Sequence, residues 1–391
     1  MRWESIGRKT ALDASEMLTT SRTCHDASVK IAHLEFGRHN YGGATQVRYL
    51  LDAMRDGEHE HVLVTPENSA LQQWSARRKQ THLALRYAGE HDVFAALRLS
   101  RWLRRASIDL VHVHSRRGAD WLGPLACTLA RCPAILTRRV DNPPGRFLRG
   151  LMRRRFRRVV AISDAIADVL KAAAVPEDLL LTIRSAVDSE ALGAAPTIDV
   201  RSILTDCSED TPVIGVVAQL IDRKGHRFLI EGLPGLRDRF PKLRVIFFGQ
   251  GPLESELQAQ VANLGLSETV VFAGFRDDLL QLMGSLTLLV HPALKEGLGV
   301  SLLQAGALGV PVVGFKAGGV VEVVAHEHTG LLVAPQDSVA LAAAIGHLLG
   351  DPNLRDQMGA NAKRRVAESF SIERMVQRYA ALYDVLAGEV T

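Results

Sequence analysis

At 391 residues the chain is long for one hydrophobic core and comfortable for two domains, and its apolar fraction of 47% is ordinary for a soluble globular protein. The net charge of +4 divides unevenly, +9 through Glu190 and −5 beyond it, and the aromatic content of 5%, with no recognised binding motif, argues against a nucleic-acid partner. Cys24, Cys127, Cys132 and Cys207 form no CxxC pair and no metal-ligand spacing with histidine, no apolar run reaches the roughly 18 to 20 residues of a membrane span, and the first residues lack the apolar core of a signal peptide, so a reducing cytoplasm is expected.

A polar extension, 1–28, leads into short β-branched runs that alternate with longer helical patterns, the signature of parallel sheets with crossover helices. The first-half strands read as VKIAHLEF, HVLVTP, LVHVHS, AILTRR and VVAIS. Between the last two lies RFLRGLMRRRFRRVV, residues 146–160, whose arginines alternate with Phe147, Leu148, Leu151, Met152 and Phe156. That stretch predicts a helix with one apolar and one cationic face, read equally as a solvated surface or as a face meeting an anionic membrane, as a peripheral contact, or an anionic substrate. After Asp188 the stretch SEALGAAPTIDVRS reads as a linker, and the pattern restarts with PVIGVVAQL, RVIFFGQG, TVVFAGF, LTLLVHP, VPVVGF and GLLVAP. The expected organisation is a Rossmann-like domain over 29–190, a linker at 191–200, a second Rossmann-like domain over 201–370, and a C-terminal helix, 371–391, packing back on the first domain. The cleft between the halves is the default ligand site.

Candidate chemistry concentrates at the strand–helix junctions of the second half. Arg223 and Lys224 precede a helix whose N-terminus adds its own positive end, a pairing suited to a diphosphate. GQG at 249–251 makes a tight turn where a flat base can approach the backbone, but it lacks the third glycine of a dinucleotide fingerprint. HPALKEGLGVSLLQAGALGVPVV, 291–313, opens from a strand through Glu296, Gly297 and Gly299 into a helix, leaving free N–H groups aimed beyond the strand's carboxyl end. In the first half, Tyr41-Gly42-Gly43 follows the first strand, HVHSRRGADW ends another with His114, Arg116 and Arg117, and Arg138, Arg139 and Asp141 form a charged cluster at a third. A lone strand histidine such as His112 is normally structural.

The second-half motifs occur in a fixed order: Lys224-Gly225, Gly249-Gln250-Gly251-Pro252, Phe272-Ala273-Gly274, Glu296-Gly297-Leu298-Gly299, Gly318-Gly319 through Glu322-Val323, and Gly330 to Val333. As an ordered set this resembles the retaining glycosyltransferase family 4, over roughly residues 30–385. The resemblance implies the GT-B fold, an α/β architecture of two Rossmann-like domains whose parallel sheets face a central cleft. It also implies transfer of a sugar from a nucleotide-sugar donor to a glycan or lipid-linked acceptor, in lipopolysaccharide or surface polysaccharide assembly, with no metal and no cofactor beyond the donor as co-substrate. By that resemblance Glu296 contacts donor-sugar hydroxyls and Lys224 with Arg223 stabilises the leaving diphosphate. Gln219, Gly249, Gly251, Phe275, Gly297, Leu298, Gly299, Val300, Ser301 and Gln304 would hold the donor. Gly42, Gly43, His114, Arg138 and Arg139 would line the cleft and acceptor side.

Three positions depart from the family's habit. Gln304 stands where a second glutamate usually grips the ribose, Gln219 where an arginine partners the phosphates, and Arg139 where a histidine lies under the donor sugar. An amide offers one acceptor oxygen and two donors where a carboxylate offers acceptors only. The alternatives are a non-catalytic GT-B protein that binds sugar nucleotide or a partner enzyme, and a nucleotide-sugar epimerase.

Overall fold

The computed structural model describes residues 28–38, 42–89, 91–114 and 118–390; most of the polar extension, together with Tyr41, Arg116 and Arg117, lies outside these described residues. Two all-parallel sheets form the frame. The first contains β1 (Lys30–Leu34), β2 (Glu60–Pro66), β3 (His82–Leu85), β4 (Leu110–Val113), β5 (Ala134–Arg138), β6 (Arg158–Ala161) and β7 (Leu180–Thr182), in the spatial order 3-2-1-4-5-6-7. The second contains β8 (Val213–Val217), β9 (Arg244–Phe248), β10 (Val270–Gly274), β11 (Leu288–His291), β12 (Val312–Phe315) and β13 (Gly330–Val333), in the order 10-9-8-11-12-13. Their near-continuous Val, Ile and Leu content is what a parallel sheet covered by helices on both faces requires. In each sheet the order reverses beside its first strand, which opens a crevice at the strands' carboxyl ends.

Four sequence expectations differ from what the structure contains. β3 and β7 were not expected; they are short edge strands of four and three residues, too brief for their alternation to show. The cationic helix stops at Arg155, and Arg158–Ala161 is strand β6, because β-branched Val159 and Val160 pair with β5. Its apolar side faces inward, with Met152 and Phe156 buried, so only Phe147 stands far out, at 70% exposure. The linker is not open coil. Asp188 caps a helix over Ser189–Ala194, Ile198 N–H donates to the Gln281 carbonyl, and Val200 is fully buried at the start of a short 3-10 turn.

Helix Pro352–Ser369 packs on the second domain, and the chain then crosses over. The last helix, Ile372–Val390, lies on the first sheet, where Met375, Tyr379, Leu382, Tyr383 and Leu386 share a core with Val29, Ile31, Leu110 and Ile135. Under it sits a polar layer inside an otherwise apolar sandwich. His33 and His112 are direct register partners on β1 and β4, and His61 and His114 flank them on the same face. His33 Nδ1 meets His114 Nε2 at 2.9 Å and His33 Nε2 meets His61 Nδ1 at 2.9 Å. His112 is bonded to Tyr383 and Thr137 hydroxyls, each at 2.7 Å, and Thr137 to Tyr379 at 2.9 Å. Both ring nitrogens of His33 and of His112 are engaged in these hydrogen bonds, although one ring nitrogen from each of His33, His112 and His114 lies within 4.8 Å of the others, a spacing that a metal ion could also use. Burial, followed by the proximity of other cationic groups, holds His33, His112 and His114 well below the usual histidine range, and burial with His59 lowers His61 to about 4.

That neutral array fixes the sign of an acid response. Unfolded histidines titrate near 6.5, so below that value the unfolded chain binds protons that the native array refuses. The stabilisation is complete above pH 6.5 and is lost as pH falls toward the folded values. Urea midpoints should be flat from pH 7 to 8 and decline from about pH 6.5, by up to about 1.4 kcal/mol per pH unit for each histidine. His61→Gln should make that decline shallower; a variant with the parent's acid slope would remove His61 from the effect.

Candidate active site

Glu296 is positioned by close backbone packing between two loops that are far apart in sequence. Gly225, at φ +68°, lets the turn after Lys224 lie so near β11 that a Cβ there would sit 1.9 Å from the Pro292 carbonyl oxygen. Leu294 N–H donates to the Arg223 carbonyl at 2.8 Å, stitching the two segments together. Lys224 Nζ consequently reaches Glu296 Oε2 at 2.5 Å, and His291 Nε2 reaches the same oxygen at 2.9 Å, while Glu296 Oε1 accepts from Gly297 N–H at 3.1 Å. The side chains of Lys224 and Glu296 are 11% and 13% exposed, and that of His291 is 1% exposed. Burial alone would push the Glu296 carboxyl up; the His291 hydrogen bond and charge, then Lys224, overcome it and hold the carboxyl far below the usual carboxylate range. The lowering favours the anionic form of Glu296 at neutral pH. It stands just ahead of helix Val300–Ala307, whose first N–H groups, near Gly299 and Ser301, open beyond the end of β11.

The other proposed donor contacts divide. Gln219 and Phe275 are exposed at strand ends, Phe275 at 68%, and Gln304 is half-buried on helix Val300–Ala307. Leu298 has its side chain in the core, so only its backbone can face a ligand. Gly249 and Gly251 press against the Ala218 and Leu220 carbonyls, with a Cβ 2.0 and 2.3 Å from the oxygens; the close approach those glycines permit is by the chain's own backbone. Val300 meets the first domain, 3.6 Å from where a Cβ on Gly42 would stand.

On the first-domain side, Gly43 lies against the Arg139 side chain, and the Arg139 carbonyl lies 3.7 Å from the Cβ position of Gly297. The Arg139 guanidinium donates to Ser185 Oγ at 3.3 Å and leaves its Nε without a partner; burial lowers its pKa, and Tyr379 and Glu35 oppose the shift. Two expectations need correction, and the third residue, Arg223, has a partner of its own. His114 is 1% exposed and stacked on His33, inside the histidine layer instead of lining the cleft. Arg138 points the other way from Arg139, as neighbours on a strand do, and donates to the Asn142 carbonyl and Oδ1. Arg223 pairs with Asp141 at 3.0 Å, bridging the domains beside the diphosphate position assigned to it.

Sequence reasoning missed the contacts that fix the two domains against each other. Ser163 Oγ donates to the Gly297 carbonyl at 2.6 Å and accepts from Ile166 N–H, so one hydroxyl caps helix Asp164–Ala172 and grips the loop that carries Glu296. Glu322 reaches from the second domain to accept from Asp164 and Ala165 N–H, at 3.0 and 2.9 Å, and from Arg184 Nε at 3.1 Å. Gly318 and Gly319 permit this, since a Cβ on either would fall 2.2 or 2.3 Å from the Glu296 or Gly297 carbonyl oxygen. The signal in the sequence was a glutamate three positions after a glycine pair, ambiguous until its partner helix is placed.

Residues 41–191 match the model of glycosyltransferase family 4 and residues 205–365 that of glycosyl transferases group 1. The chain belongs to the family 4 glycosyltransferases. This glycosyltransferase is 28% identical over 309 residues to a GDP-mannose-dependent alpha-(1-6)-phosphatidylinositol monomannoside mannosyltransferase of Mycolicibacterium smegmatis, a match covering 75% of this chain and 80% of the relative. It is 28% identical over 284 residues to a lipopolysaccharide core biosynthesis mannosyltransferase of Rhizobium leguminosarum bv. viciae, covering 71% and 78%. Anabaena HepE, solved with UDP and glucose, superposes with a TM-score of 0.79 at 22% identity over 91% of this chain and 99% of that one. The architecture is GT-B.

The Glu322 contacts generate a test of the domain arrangement. Glu322→Ala removes two helix-cap acceptors and an ion pair, and should lower unfolding free energy by about 1–3 kcal/mol. Small-angle scattering should show a larger radius of gyration as the domains part. Unchanged urea midpoint and radius would show that these bonds do not hold the arrangement.

Proposed function

We propose that this glycosyltransferase moves a sugar from a nucleoside-diphosphate donor to a hydroxyl of a glycan or lipid-linked acceptor, with retention of configuration, in lipopolysaccharide or surface polysaccharide assembly. The observation that carries the reading is the Lys224–Glu296–His291 cluster at the mouth of helix Val300–Ala307, facing Arg139 and the start of helix Gly42–Ala53. Breaking the anomeric bond drives negative charge onto the diphosphate and positive charge onto the ring. The helix-start N–H groups and Lys224, which has two ammonium protons beyond the one given to Glu296, meet the first. The fixed Glu296 anion meets the second and orients sugar hydroxyls. The Arg139 guanidinium, held in place by burial without a carboxylate partner of its own, suits a donor phosphate or an anionic acceptor. This chemistry uses the donor as co-substrate and asks for neither metal nor organic cofactor.

The donor reading draws on names borne by similar proteins, GDP-mannose for the mycobacterial relative and UDP for the Anabaena structure. The pathway reading draws on the lipopolysaccharide core relative. Among the described residues no helix is long and apolar enough to cross a membrane.

A thermal-shift screen against UDP-, GDP- and ADP-sugars should single out one base, with about 2.7 kcal/mol of stabilisation at 100 times its dissociation constant. Lys224→Ala should weaken nucleoside-diphosphate binding and slow transfer together. Glu296→Gln should leave diphosphate affinity nearly unchanged and lower turnover by about 10²-fold or more. A folded Glu296→Gln protein with parental turnover would sink the assignment; donor binding without transfer to any acceptor would instead favour the non-catalytic reading. Gln304→Ala should cost about 0.5–1.5 kcal/mol of donor affinity, one hydrogen bond's worth, by calorimetry.

A further inference from the structure

At the N-terminal edge of the first sheet, across the domain from the transfer cleft, lies a cavity of about 970 Å³. Arg131, Arg153, Arg154, Arg155, Arg157 and Arg158 line it, and no carboxylate does. Some exposed arginines elsewhere are paired, Arg55 with Asp52, Arg98 with Asp92, Arg227 with Asp222, while others, such as Arg77, Arg105 and Arg146, stand singly on the surface among the described residues; what sets this cavity apart is the number of arginines that share it. Among the described residues no ion pair reaches Arg131, Arg153, Arg154, Arg155 or Arg157. Favourable interaction with the negative end of one helix accounts for Arg153 to Arg155 in its last turn. It leaves Arg131 and Arg157 unexplained, because Arg131 ends a different helix and Arg157 stands just before β6. Three separate segments thus bring like charges into one concave space, which concentrates positive potential there and favours an anion.

We propose that this cavity binds a ligand bearing two or more phosphates, separately from the sugar-transfer cleft. Guanidinium forks match phosphate oxygens bidentately, and the concave wall lets several address one ligand. The apolar side of the 146–155 helix is spent on the core, so attachment here is electrostatic and needs no insertion into lipid. The same chemistry is offered by anionic phospholipid headgroups and by soluble oligophosphates.

The test uses the full chain with inorganic tripolyphosphate, in a Lys224→Ala background so that the transfer cleft does not compete. Adding Arg153→Gln and Arg157→Gln, both exposed and outside the cleft, should raise the tripolyphosphate dissociation constant at least 10-fold with the melting temperature unchanged. In parallel, co-sedimentation with phosphatidylcholine vesicles, with and without cardiolipin, whose headgroup carries two phosphates, separates the sources. Arginine-dependent retention on the anionic vesicles identifies lipid headgroups; tripolyphosphate binding without vesicle retention identifies a soluble ligand. Parental affinity in the folded arginine variant, or a Lys224→Ala protein that binds neither probe, overturns the proposal.

Discussion

The Glu296 carboxylate, kept anionic in a nearly closed environment, is the constraint on which the rest of the site depends. A carboxylate this buried would ordinarily take up a proton, and it resists because Lys224 and His291 converge on one of its oxygens. The convergence is a consequence of backbone packing. The Lys224–Gly225 turn can touch the Pro292 carbonyl only without a side chain at Gly225, so a larger residue there would separate the ammonium from the carboxylate it compensates. The chain gives up a side chain at 225 and gains a charge pair between residues 72 positions apart.

The same loop is also part of the domain interface. Gly297 presents its carbonyl to Ser163 while its neighbour, Glu296, faces the site, and Glu322 fastens the helix that Ser163 begins. Motion of one domain against the other must therefore pull on the loop that carries Glu296, and so on its partner Lys224. Binding geometry and domain closure share hydrogen bonds, which is an economical way to make the site complete only when the cleft is closed. The apolar contact of Gly297 with Ile166, at 3.2 Å from a Cβ position, and the continuous core from Ile166 to Leu298 and Leu302, give that closure a packed surface to rest on.

Much of this frame was legible in the sequence, and the illegible part has a common cause. Long apolar runs marked every central strand, and the ordered glycine motifs marked the second domain, because local pattern and backbone conformation are written locally. β3 and β7 escaped since three or four residues at a sheet edge carry too little alternation. Lys224 and Glu296 were each singled out, but their contact was not, because it depends on a tertiary approach at Gly225. His291 was passed over beside a proline as a strand end. Arg138 and Arg139 were grouped together, although adjacent strand residues face opposite ways and only Arg139 meets the cleft side. Glu322 needed the domain arrangement before its capping role had a partner.

The histidine layer and the cleft are linked through Arg139. Its charge is among the causes that keep His112 and His114 neutral, and the same side chain contacts Gly43 and Ser185 at the domain boundary. The dependence runs both ways. A proton on His114 would place a second cation beside the Arg139 guanidinium, so the permanent charge of Arg139 disfavours protonation of the array behind it. Tyr379, bonded through Thr137 to His112, lowers that strain from the C-terminal helix. The last helix is thus more than a brace across two domains: it supplies the Tyr379 and Tyr383 hydroxyls to the buried polar array that lies behind Arg139.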